Sequence, residues 1–251
     1  ITGTGSGLNG EANLTFDGND LTQTITSSGG QTLTSTGNHA IRITANTDRA
    51  SENNTLLALR AQWNDTQVAM IDLQAGDDTT NKDNSKIGFY TASAGSQAQA
   101  MLIHENGCVT KNKQPAFCAT INTDTDRGTN GTRVLPFDTK HSDNATNFNT
   151  TNYRFTAPID GRYFFILSVN HMGDSIYYLR KNGSNIQKAE FRSNTDGAWE
   201  HATVSGIIVM SAGDYVEGHG QLTTSTTGQW LWNGGGSVST GWDTFTGWLV
   251  A

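Results

Sequence analysis

The side chains best suited to chemistry in this sequence are its histidines, cysteines and clustered carboxylates, and their spacing argues against catalysis and metal binding. Histidines stand at positions 39, 104, 141, 171, 201 and 219, and cysteines at 108 and 118. A local zinc site needs H-x-x-x-H, H-x-H or C-x-x-C, because such spacings let one element offer two donors to the same ion. None occurs, so neither a metal nor a cofactor is expected. The run Asn122, Asp124, Asp126 approaches the alternating oxygen ligands of a calcium loop. Its glycine, Gly128, falls one place late, and the twelfth position is Arg133 where such a loop carries Glu. The segment reads first as an Asx-rich turn and second as a degenerate calcium loop. No G-x-S-x-G elbow occurs, and the Asp77–Asp78 pair sits in a polar stretch with nothing apolar to raise one carboxyl. No catalytic residue is expected. Glu217 and His219 share a strand face, which reads as a solvated or interface contact. Gly5 to Gly10 match G-x-G-x-x-G, but a strand-like segment follows where a phosphate site needs a helix N-terminus, so these glycines read as a lead-in linker.

Binding chemistry is better represented. Five of the six tryptophans lie beyond residue 190: Trp199, Trp230, Trp232, Trp242 and Trp248. Trp230, Trp232 and Trp242 flank the glycine-rich run GQWLWNGGGSVSTGW, where a loop would present large rings beside polar groups. Rigid aromatic faces with nearby Asn and Asp can hold a sugar or a protein surface. Trp199 with Asp196, in SNTDGAWEH, is a second such loop. The other reading fills a core or an axis with Trp230 and Trp232, since buried aromatics outnumber ligand platforms. Trp248, in the last strand, reads as core.

The elements that must position these loops are strands. Tyr153-Phe155-Ala157 and Tyr163-Phe165-Leu167 alternate with polar residues around a Pro158-Ile159-Asp160-Gly161 corner, the pattern of two short antiparallel strands joined by a turn. The aromatic face so formed needs a second sheet to cover it. Partners are RVLPFDT from Arg133, SIYYLRKNGS with its Asn182-Gly183 turn, TVSGIIVMSAGDYVEGHG, and the terminal FTGWLVA. No segment of helical period separates them, so the sequence predicts an all-β sandwich of jelly-roll type. Upstream, NLTFDG, QTITSSGG, QTLTSTGN, AIRITANT, LLALRAQWN, VAMIDLQAG, IGFYTASAG and MLIHENG are short strands ended by Gly, Asn or Asp, each with few large apolar residues. One copy of such strands has too thin an apolar strip to offset an ordering cost of about 1–2 kcal/mol per residue, whereas three copies together would close a core.

From Pro115 to Ala251 the ordered motifs PAFCA, VLPFDT, F-x-x-P-x-x-G-x-Y-x-F, the NG turn, GDYV and terminal F-x-G-W-L resemble the globular head of the complement 1q and tumour-necrosis-factor superfamily. That resemblance implies a ten-stranded jelly roll that assembles as a tight trimer and binds ligands through its loops. The earlier part, with FDG, the Asp78–Thr91 segment DTTNKDNSKIGFYT and the MLIHENG strand, resembles the shaft regions of bacteriophage tail fibres, although a usual basic residue is His104 here. Together these imply an intertwined trimeric β shaft over residues 1–110 and a head over 111–251.

Composition sets outer bounds. Of the net charge of −7, residues 1–110 carry −6 (5 basic, 11 acidic) and the rest −1 (11 basic, 12 acidic), which gives no electrostatic basis for holding nucleic acid. No apolar run approaches the roughly 18 residues of a membrane span. Two cysteines are too few for a disulfide-stapled scaffold; ten residues apart, they are either idle thiols or a bridge across a short loop. The chain starts at Ile1, which suits the C-terminal part of a longer polypeptide. The expectation is a virion tail-fibre tip, extracellular, joined to other tail proteins through an upstream segment. It would be a homotrimer that binds a host-cell surface glycan or protein without catalysis, nucleic acid or membrane insertion. A secreted or surface lectin-like protein of a cell, and a polysaccharide-depolymerising tail spike, are the alternatives.

Overall fold

The computed structural model describes residues 14–16, 21–23, 43–122, 131–171, 174–191, 200–222 and 243–251. The chain divides into two compact units, residues 1–46 and 47–251. In the first, β1 (Leu14–Phe16) pairs antiparallel with β2 (Leu21–Gln23), Thr15 opposite Thr22. The second holds a meander and a sandwich.

The meander runs β3 (Thr55–Trp63), β4 (Thr66–Ala75), β5 (Ser85–Ser93), β6 (Ser96–Ile103) and β7 (Val109–Thr110), each antiparallel to the next. Two of its connections are two-residue turns with positive φ at both positions, Asn64 and Asp65 (49° and 62°) and Ala94 and Gly95 (49° and 78°). That backbone matches the right-handed twist of the flanking strands. The predicted strand AIRITANT does not form over its described part. Residues 43–47 join no ladder, and Ile43 is 74% exposed, with no apolar face among the described residues to cover it.

The sandwich contains β8 (Ala116–Thr120), β9 (Gly131–Val134), β10 (Thr139–Asn144), β11 (Phe148–Asn149), β12 (Arg154–Thr156), β13 (Gly161–His171), β14 (Ser175–Lys181), β15 (Ser184–Phe191), β16 (Glu200–Met210), β17 (Tyr215–Leu222) and β18 (Thr244–Leu249). One sheet has the order β10-β8-β18-β13-β16; the other is β11-β12-β17-β14-β15, with β9 also on β17. This is the all-β jelly-roll sandwich that the strand pattern predicts. Alternation sets which side chains meet between the sheets. On β13, Tyr163, Phe165, Leu167 and Val169 are buried, and on β16, Ala202, Val204, Ile208 and Met210. Phe117 stacks on Phe148 at 4.7 Å and on Phe155 at 5.1 Å, with Phe245 edge-on at 5.0 Å. Gly247 of the F-x-G-W motif makes room for these rings, since a Cβ there would lie 2.5 Å from Phe165 and 2.8 Å from Phe117.

Two expectations are corrected. The Pro158–Gly161 corner does not close a hairpin: β12 pairs with β11 and β17, while β13 pairs with β16 and β18 in the opposite sheet. The corner therefore carries the chain across the core, and Phe155 meets Tyr163 and Phe165 ring to ring at 5.5 and 5.6 Å. Alternation alone cannot tell a hairpin from a crossover, because both place the aromatics inward. Trp248 is not core. It has the opposite parity to buried Phe245, lies on the outer face 38% exposed, and packs on Phe164 at 5.0 Å.

Candidate functional site: one rim of the sandwich

The strand registers bring several chain segments to one rim. In the first sheet Thr120 ends β8 opposite Thr244 at the start of β18, and His171 ends β13 opposite Glu200 at the start of β16. In the second, Ser175 at the start of β14 lies opposite both Phe191, the end of β15, and Leu222, the end of β17, which faces Gly131 at the start of β9. The sequence step from His171 to Asp174 joins the two sheets at that end. Segments 123–130, 172–173, 192–199 and 223–242 are all tethered to this rim. They include every predicted receptor-binding residue, Asp196, Trp199, Trp230, Trp232 and Trp242, and these lie outside the described residues. Asp124, Asp126 and Gly128 do so as well.

The floor beneath the rim is polar and buried, which the scattered sequence positions did not reveal. Ser175 Oγ lies 2.9 Å from His171 Nδ1, both side chains fully buried, and the His171 ring sits 5.4 Å from Tyr177 and 5.5 Å from Phe191. Burial pushes the Tyr177 phenol well above its ordinary range. Asp243 Oδ1 accepts the Asn170 amide at 2.6 Å. On the outer face of the first sheet the exposed His201 bridges Ser168 (Oγ to Nε2, 2.7 Å) and Asn170 (Oδ1 to Nδ1, 3.2 Å). A hydroxyl, an imidazole and an orienting amide are the parts of a nucleophilic triad, but acyl transfer also needs free amides aimed at a developing oxyanion. At Ser168 the strand is paired on both sides, with Thr203 and with Thr244, so its amides are spent in the ladders. The arrangement ties β13 to β16 near the rim.

On the outer face of the second sheet, β17 is flanked by cations. Glu217 is 2% exposed and accepts Arg154 Nε at 2.8 Å, with Arg180 Nη1 at 3.9 Å, while the Arg154 guanidinium lies 4.0 Å over the Tyr215 ring. His219, two residues on, shares that face as the sequence predicts, but it is buried and not solvated. Burial, then the Arg180 charge, push its imidazole down to about 4. At the opposite end of the sandwich from the rim, Asp214 caps the β16–β17 turn by accepting the Ser211 amide at 2.8 Å. Lys181 and Asn182 also bond it, and together these hold its carboxyl at about 2.

The Asp77–Asp78 loop is structural, and Asp78 accepts the Thr80 and Asn81 amides at 2.9 Å, which lowers its carboxyl. Both cysteines are free thiols. Among the described residues no three His, Cys, Asp or Glu side chains are grouped to hold a metal ion. No helix among them is long and apolar enough to cross a membrane.

The residues that form these two sheets are those of a C1q-type head, since the C1q domain matches residues 116–250. The chain belongs to the C1q domain family. Among solved structures it is similar to the globular domain of zebrafish complement 1qA protein, at 20% identity over 55% of this chain and 98% of that one, with a TM-score of 0.38. No curated protein matches it.

Proposed function

We propose that the chain is the adhesive end of a fibre, a shaft over residues 1–110 bearing a head over 111–251, and that the head binds a cell-surface glycan or protein without catalysis. The observation that carries this reading is the common tethering of segments 192–199 and 223–242, with their four tryptophans, to one rim of a C1q head. A homotrimer would present three such rims at once, so weak sites gain avidity. Support for oligomerisation comes from the outer face of the first sheet, where Ile207, Phe164, Trp248 and Ala116 form one row across β16, β13, β18 and β8. Ile207 is 56% exposed and the nearby Val209 68%, on a face where a lone sandwich would carry polar residues.

The test is binding of the labelled chain to a glycan array and to whole bacterial cells. Trp230→Ala, Trp232→Ala and Trp242→Ala should each weaken it at least tenfold with the fold intact by circular dichroism. Retained binding in all three, and in Asp196→Ala and Trp199→Ala, would move the site elsewhere. The preferred setting is a phage tail fibre, in the virion and outside the cell, because a β meander precedes the head; attachment would run through other tail proteins upstream. A secreted or surface C1q-domain protein of a cell fits the head equally well. The adjoining upstream sequence separates the two, as a virion-attachment segment or as a signal peptide and collagen-like stalk. Release of reducing ends from host polysaccharide would point instead to a depolymerising spike.

A further inference from the structure

The meander is inside out. On one face of the β3–β6 sheet the side chains of Asp72, Gln74 and Lys86 are buried to 3, 4 and 7% exposure. They are also partnered. Gln74 Nε2 donates to Asp72 at 2.8 Å and to the Tyr90 hydroxyl at 2.7 Å, Thr55 donates to Asp72 at 3.2 Å, and Lys86 pairs with Glu52. The other face carries two complete ladder rows of large apolar side chains, Leu57–Leu73–Ile87–Ile103 and Leu59–Ile71–Phe89–Met101. Nothing among the described residues fully buries them. Leu59 is 71% exposed and Ile71 40%, and no large apolar side chain between residues 43 and 110 is buried.

We infer that this face is the packing surface between copies of the chain, three sheets closing into a prism with both apolar rows inside. The number three rests on the trimeric reading of the head; the choice of face does not. A second copy is favoured over a foreign partner on three grounds. The two rows contain no charged or hydrogen-bonding group, with the Ser85 and Thr91 positions flanking them on that face, so the rows have nothing with which to select a distinct partner and are complementary to themselves. A contiguous aliphatic patch of this kind is not left open on a soluble chain, so its cover must be present whenever the chain folds, which a copy always is. Area adds a requirement to that choice. Four strands at about 4.8 Å spacing and eight residues at about 3.3 Å give a face of about 500 Å². That is below the roughly 800 Å² per partner of a stable interface, so the sheet needs a second contact in the same assembly. The exposed row through Phe164 and Trp248 on the head is such a contact.

The experiment uses the full chain and three measurements: native mass by light scattering, the rate of tryptic cleavage after Lys82 and Lys86, which no variant alters, and circular dichroism. Leu59 lies on edge strand β3 and is exposed, so Leu59→Asp leaves one chain's own packing intact; Arg60→Asp places the same charge on the opposite face of the same strand, and Leu59→Asn is the milder variant. The expected result is a wild-type mass near three times 27.0 kDa. Leu59→Asp should lower that mass or speed cleavage at least tenfold, Leu59→Asn should act in the same direction, and Arg60→Asp should do neither. A wild-type trimer whose mass and cleavage are unchanged in both Leu59 variants would overturn the prism and leave the trimeric head standing. Equal disruption by Arg60→Asp would also overturn it, since the effect would then not belong to the apolar face. A monomeric wild type would overturn both.

Discussion

The head and the meander are built from strands of similar length and similar turns, yet they bury opposite kinds of side chain. Between the head's two sheets lie Phe117, Phe148, Phe155, Phe165 and Phe245, all at 2% exposure or less. In the meander the buried side chains are Asp72, Gln74 and Lys86, and the aliphatic ones are half-buried or exposed. The difference follows from topology. The head's crossovers, such as the Pro158–Gly161 corner, send successive strands to alternate sheets, so one chain supplies both halves of its core. The meander never crosses over, so one chain supplies one sheet, and a single sheet cannot cover its own apolar face. The head's core is thus complete within one chain, whereas the stability of the meander should depend on how many chains are present.

The comparison is sharpest where a ring is removed. Phe165 is fully buried, 5.6 Å from Phe155 and 6.0 Å from Phe245. Phe165→Ala should cost about 3–5 kcal/mol, by lost transfer energy and the cavity left behind. Urea unfolding followed at the head should show that loss at every protein concentration. Phe89→Ala in the meander should instead make the unfolding midpoint of residues 43–110 more dependent on concentration, read by hydrogen exchange. A Phe165→Ala cost below about 1 kcal/mol, or a Phe89→Ala effect independent of concentration, would erase the distinction.

Much of this architecture was readable in the sequence, and the failures have a common physical cause. Alternation identified β13, β14, β16 and β18, and Asn182-Gly183 marked its hairpin, with φ of 49° and 80°. These signals are local. Whether β12 pairs with β13 or faces it across the core depends on partners more than forty residues away, Val216 for Phe155 and Ile208 for Tyr163. Trp248 has the size of a core residue, but its parity is opposite to that of buried Phe245, and parity decides the face. The two apolar rows of the meander were visible as residues but not as rows, since bulges at Ala61/Gln62 and Phe89/Tyr90 shift the register that aligns them. At the rim, Asn170, His171, Ser175, His201 and Asp243 give no sequence signal. Their convergence arises only from strand ends coinciding.

The second largest effect concerns pH and should appear in the head alone. His219 is held neutral by burial down to about 4, while an unfolded histidine takes its proton near 6.5. Between those values the unfolded chain binds more protons than the folded one, so head stability should fall as pH drops from 6.5 to 4. The loss is on the order of 2–3 kcal/mol. Urea midpoints at pH 7.5, 5.5 and 4.5 measure it, and His219→Asn should flatten the slope. A slope unchanged in that variant would assign the loss to other groups.

The smallest effect should be the one that the two regions share. Gly183 in the head and Gly95 in the meander have φ of 80° and 78°, each at the second position of a two-residue turn. A Cβ at Gly95 would meet nothing within 4 Å, and at Gly183 nothing nearer than 3.7 Å, so an alanine clashes with no neighbour at either turn and costs only the backbone strain of positive φ. Gly183→Ala and Gly95→Ala should each destabilise by about 1 kcal/mol. Near-equal values would show that the regions use the same local turn chemistry and differ only in where their apolar faces are covered. A Gly95→Ala cost several times that of Gly183→Ala would mean that the β5–β6 turn itself meets a neighbouring copy, extending the contact between chains beyond the two apolar rows.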